Sequence, residues 1–80
     1  MKAVVHVFLK PGVLDVQGKA VQTALHGLGW SDVEGVRVGR VIEFDMAGDD
    51  TAGARTRVEA MCQRLLANPV IEGYRVEIAA

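Results

Sequence analysis

At 80 residues the chain has room for one hydrophobic core, so it reads as a single domain over 1–80 and not as a catalytic domain carrying a second module. Half of the residues are apolar, 24% are charged and two are proline, a composition that folds instead of remaining disordered. Nine Lys and Arg against ten Asp and Glu leave a formal charge of −1, which argues against a nucleic-acid partner, because a positive excess supplies most of that affinity.

Residues 2–9 alternate, with Ala3, Val5, Val7 and Leu9 on one face and Val4, His6 and Phe8 on the other. This pattern predicts a strand whose second face is also partly covered. Lys10-Pro11-Gly12 breaks it, and Asp15 then stands where a side-chain acceptor caps the first free amides of a helix. Ala20, Val21, Ala24, Leu25 and Leu28 recur at helical spacing, predicting a helix over 16–28. Gly29 suits a left-handed residue just past its end, with Trp30 closing a Schellman turn.

Period two returns from Val33 to Met46, with Val36, Val38, Ile42, Phe44 and Met46 sharing a face. Arg40 falls on that apolar face directly after Gly39, so the segment reads either as one long strand bent at Gly39 or as two strands in a hairpin. A loop over 47–51 offers capping residues, and Val58, Met61, Cys62, Leu65 and Leu66 follow as the apolar stripe of a second helix over about 52–67, ended by Asn68-Pro69. Tyr74, Val76 and Ile78 alternate with Arg75 and Glu77 in a last strand within 70–79. The order is β-α-β-α-β, or β-α-β-β-α-β if the middle segment divides. Either way the expectation is an α+β two-layer sandwich, with both helices on one face of a small sheet, and a half-apolar composition at this length points to apolar surface shared between chains.

Chemistry-bearing residues are scattered. Cys62, His6 and His26 lie in three elements without ligand spacing, and one cysteine makes no intrachain disulfide, which fits a reducing compartment. Cys62 sits on an apolar stripe and reads as a core thiol. His6 has no acid or nucleophile at a supporting position, and Ser31 lacks the glycines of a nucleophile elbow. Gly27-Leu28-Gly29 follows a helix and so lacks the strand-loop-helix order of a phosphate loop, while Asp49-Asp50 is better suited to capping than to holding a cation. No metal, cofactor or catalytic residue is expected on this chain. The Met-Lys start followed by alternation is unlike a secretory signal, and no apolar run approaches the roughly 20 residues of a membrane span, so the expected address is the cytoplasm.

Three stretches carry a resemblance. Met61-Cys62-Gln63-Arg64-Leu65-Leu66-Ala67-Asn68-Pro69-Val70-Ile71-Glu72 closely resembles the signature end of the PurS family, the small subunit of phosphoribosylformylglycinamidine (FGAM) synthase. Gly12-Val13-Leu14-Asp15-Val16-Gln17-Gly18 is similar to that family's Leu-Asp-Pro-Gln-Gly motif with Val16 in place of proline. Val36-Arg37-Val38-Gly39-Arg40 is similar to its Val-Arg-x-Gly-Lys with arginine for lysine. The resemblance implies a non-catalytic subunit in de novo purine biosynthesis that self-associates as a dimer or tetramer, the dimer pairing sheets as the two apolar faces of the first strand would allow. It would bring a glutaminase subunit and a large ATP-dependent synthetase together for ammonia transfer, with ATP, Mg and glutamine used by those partners. Arg40, Asn68 and Pro69, special within these motifs, are expected at subunit interfaces, as are His6 and Phe8 on the second apolar face of the first strand. Two other classes fit the residues: a stand-alone dimeric regulatory module that binds a small molecule, and a small dimeric enzyme with His6 as base.

Overall fold

The computed structural model describes residues 1–79. The chain forms β1 (Lys2–Leu9), α1 (Val16–Gly27), β2 (Arg40–Asp45), α2 (Thr51–Met61), a π-helical turn (Cys62–Leu66) and β3 (Glu72–Ala79). The strands make one antiparallel sheet in the order β2-β1-β3. In register, Val5 faces Ile42 on one side and Val76 on the other, so period two puts Ala3, Val5, Val7, Ile42, Phe44, Val76 and Ile78 on one side of the sheet. Helix α2 covers that side with Ala54 and Val58, and the π turn adds Cys62, all fully buried.

The helix ends form as their residues dictate. The Asp15 carboxylate accepts from the Gly18 amide at 2.7 Å, and Asp50 accepts from Gly53 at 3.0 Å. Gly29 adopts φ +106°, a conformation that costs a side-chain-bearing residue, while its amide donates to the His26 carbonyl and that of Trp30 to the Leu25 carbonyl. That bond pair is a Schellman closure. At the other helix, the Ala67 amide reaches back five residues to the Cys62 carbonyl. The helix predicted over 52–67 therefore ends as a π turn before Asn68-Pro69.

Two expectations need correction. The middle segment enters the sheet only at Arg40; residues 33–39, which lead into it, have no ladder partner among the described residues, so it is neither one long paired strand nor a hairpin. The two helices also do not share a face of the sheet. Gly18 is the only buried residue of α1, and the helix has no extensive contact with any strand. Width explains this, since three strands spaced about 4.8 Å apart leave room for one helix of about 10 Å diameter and not for two. A fourth strand would widen the platform, and the residues that could make it, 33–39, leave the sheet. The result is an elongated molecule of 48 × 25 × 14 Å with a radius of gyration of 15.9 Å. A compact chain of this length has a radius of about 12 Å.

Candidate interaction site at the loop junction

The three motif stretches, far apart in sequence, meet at one end of the sheet. The loop after β1 (residues 10–15), the free segment 36–40 and the turn 66–72 are joined there by five charged side chains. Asp15 supplies the first link: its Oδ1 caps α1, and its Oδ2 accepts the Val38 amide at 2.7 Å. Arg37 continues it, donating to the carbonyls of Val13 at 3.1 Å and Lys10 at 3.3 Å, with its Nε 4.0 Å from the Asp15 carboxylate. The amides of Val38 and Gly18, aided by the Arg37 charge, hold the Asp15 carboxyl below its ordinary value against the opposing effect of burial. Gly18 belongs here as well, because a side chain at that position would run into the Val36 carbonyl oxygen.

Arg40 and Glu72 supply the second link. Arg40 Nη1 donates to Glu72 Oε2 at 2.7 Å, and Nη2 donates both to the Leu66 carbonyl at 2.6 Å and to Glu72 Oε1 at 3.3 Å. This is a forked, charge-assisted pair. The same Glu72 Oε1 accepts the Asn68 amide at 2.7 Å, and the hydrogen bonds from Arg40 and from that amide hold the Glu72 carboxyl below its usual range. Asn68 folds the turn from within, its carbonyl accepting the amides of Ile71 and Glu72 and its side chain accepting that of Val70. Lys10 ties the end of β1 to the turn, its Nζ donating to the Pro69 carbonyl at 2.6 Å and its amide to the Ile71 carbonyl at 2.9 Å.

The residues expected at interfaces divide into two groups. Arg40, Asn68 and Pro69 come together in this junction, and the sequence oddity of Arg40 acquires an intrachain explanation: its charge sits at the start of β2 where Glu72 meets it. His6 and Phe8 instead occupy the side of the sheet that α2 leaves bare. There His6 Nε2 lies 3.5 Å from Glu77 Oε1 with no hydrogen-bond partner among the described residues. Phe8 lies over Gly73, where an added Cβ would come within 2.7 Å of its ring. A cleft of about 220 Å³ lined by Val7, Leu9, Asp15, Val38, Arg40 and Glu72 marks the junction. Lys10, Arg37 and Glu72 were not singled out as site residues from sequence. Arg37 and Glu72 lie within the motif stretches and Lys10 lies two residues before one, and that placement is the signal the sequence carries for them.

The junction spends its polar groups on the chain's own loops, while large apolar side chains face outward. Leu14, Val16, Leu28, Leu65 and Val70 are each more than 70% exposed, and Leu14, Val16, Ala20 and Ala24 line a groove along α1. Among the described residues no three His, Cys, Asp or Glu side chains are placed to hold a metal ion, and no helix is long and apolar enough to cross a membrane. Cys62, the first residue of the π turn, is buried in the core, which pushes its thiol pKa up.

Fold and site together define a small α+β interaction domain: a knitted scaffold with an outward-facing apolar helix. Residues 2–80 match the family model PurS, phosphoribosylformylglycinamidine (FGAM) synthase, and the chain belongs to that family. The phosphoribosylformylglycinamidine synthase subunit PurS of Synechocystis sp. is 46% identical over 76 residues, covering 95% of this chain and 76% of the relative. The crystal structure of PurS from Bacillus subtilis superimposes with a TM-score of 0.87 at 44% identity, covering 99% of this chain and 98% of the other. A chain of the PurLQS structure from Thermotoga maritima superimposes with a TM-score of 0.85 at 28% identity, covering 95% and 93%.

Proposed function

We propose that this chain is the non-catalytic subunit of phosphoribosylformylglycinamidine synthase in de novo purine (IMP) biosynthesis, working in the cytoplasm. It assembles the glutaminase subunit and the large ATP-dependent synthetase subunit so that ammonia passes between them. The observation that carries this reading is the match, over nearly the whole of both chains, to a chain of the PurLQS structure. ATP, Mg and glutamine serve the partner subunits, and this chain holds no cofactor. The physical contribution is positional. Ammonia released into water becomes ammonium, which is no nucleophile, so fixing two active sites in relation to each other raises the effective concentration of the reactive form.

Self-association is part of the proposal, and Arg40, Asn68, Pro69, His6 and Phe8 are its candidate interface residues toward one partner or another. The accessible surface is 5517 Å², roughly 800 Å² more than a compact chain of 8.6 kDa exposes. That excess is about what one partner contributes to a standard interface. A second copy is the fitting occupant of the α1 groove, because it brings the same unpaired 33–39 segment and the same uncovered helix in two-fold relation. Ala20→Glu, which introduces a charge into that groove while keeping a good helix former there, is expected to leave a monomer by sedimentation velocity. An unchanged oligomer would remove α1 from the interface. The larger claim is tested by sedimenting the chain with the synthetase and glutaminase in the presence of ATP, Mg and glutamine. Co-sedimentation of all three is expected, and independent boundaries would overturn it.

A further inference from the structure

We infer that Asp15 is the positioning residue for assembly: it fixes the direction of α1 and joins it to segment 33–39 before a second copy arrives, so that both are presented as one preformed surface. This rests on the self-association reading above.

The two helix caps of this chain make the contrast. Asp50 caps α2 with one hydrogen bond, to Gly53, and its carboxylate is exposed. Nothing more is needed there, because α2 is held to the sheet by Ala54 and Val58. Asp15 caps the helix that has no such packing, and its carboxylate does two jobs. One oxygen takes the Gly18 amide, as an ordinary cap does, while the other takes the Val38 amide 23 residues away. The residue is 6% exposed.

Around it the first turn of α1 lies directly on the free segment. Gly18 has no room for a side chain against the Val36 carbonyl, and Gln22 accepts the Val36 amide at 3.4 Å. Arg37, from the same segment, grips the loop that leads into the helix. The direction of α1 is thus set at its first two turns, by polar contacts with 36–38 and not by an apolar face against the sheet. Holding a binding element in place beforehand lowers the ordering cost of association, so this link acts on assembly without touching the second copy.

Asp15→Asn separates the two jobs. Asparagine caps a helix as well as aspartate does, but its amide nitrogen is a donor and would oppose the Val38 amide. The test uses the full chain with spin labels on cysteines introduced at Gly27 and Asp45, at a concentration where it is monomeric. Distances are read by electron–electron resonance, and self-association is measured on unlabelled protein. In the wild type a single narrow distance distribution is expected. In Asp15→Asn a broadened one is expected, with helix content unchanged by circular dichroism and self-association weakened by about tenfold or more. A distribution as narrow as the wild type's, or unchanged association beside a broadened one, would overturn the inference. If the wild type stayed monomeric at every concentration, the self-association reading would fail, and with it the role of Asp15 in assembly, whatever the distances showed.

Discussion

Alanine at Gly39 adds one methyl group, and in most solvent-facing positions it would stabilise by restricting the unfolded chain, by about 0.4–1 kcal/mol. Here the new Cβ would stand 2.5 Å from the Val7 carbonyl oxygen, 3.5 Å from its carbon and 3.6 Å from Phe8 Cα, all backbone atoms of the central strand. Backbone in the middle of a sheet cannot swing aside as a side chain can, so the strain falls on the approach of 33–39 to β1. The first pair to suffer is Val7 with Arg40, and Arg40 carries the fork to Glu72 and the Leu66 carbonyl. Overpacking of this kind costs about 1–3 kcal/mol, which after the unfolded-state gain leaves a net loss of about 1.5 kcal/mol. For a domain this size that corresponds to a fall in Tm of about 6–12 °C. The assay is thermal unfolding of wild type and Gly39→Ala at one fixed protomer concentration, because self-association raises apparent stability by mass action. A variant melting at or above the wild-type temperature would refute the close approach of the Gly39 backbone to Val7.

Val58→Ala removes about two methylene equivalents from a fully buried site under α2, and the transfer and cavity contributions together predict a loss of about 2–3 kcal/mol by urea unfolding; a loss below about 1 kcal/mol would place Val58 outside the core. Asp15 and Glu72 have folded-state pKa values below their ordinary 3.8 and 4.5, so each contributes stability that is complete above those values and is lost as pH falls through the lowered ones. Stability is therefore expected to be flat with respect to these groups near neutrality and to fall in acid below about pH 4, the window being checked by urea titrations at stepped pH. Arg40→Ala removes the largest cause of the Glu72 shift, and carbon-detected NMR titration of that carboxyl should show its pKa rising toward the ordinary value; no movement would mean that the fork is not formed in solution.

Local chemistry made much of this legible. The cap at Asp15, the Schellman closure at Gly29-Trp30 and the buried face of β1 each depend on residues within a few positions of one another, and each forms as its pattern dictates. The middle segment shows what periodicity omits. Val36 and Val38 alternate as faithfully as Ile42 and Phe44, yet only the latter pair with β1, because alternation reports which face is apolar and says nothing of which edge accepts the strand. The position of α1 was hidden for a related reason: its amphipathic spacing is genuine, but whether a sheet has width for a second helix depends on strand count. Arg40 stood out as a charge on an apolar face, and its partner Glu72, 32 residues on, could be found only in three dimensions. The second oxygen of Asp15 is the same case, since a cap is visible in sequence and a bridge to Val38 is not.

The central claim is that this chain couples two active sites without adding a third. The measurement that tests it most directly is FGAM formation by the synthetase and glutaminase of the same organism, with and without this chain, with either glutamine or a high concentration of ammonium as nitrogen source. The account predicts that the chain is required with glutamine and largely dispensable with ammonium. Equal rates with and without it on both nitrogen sources would contradict the account.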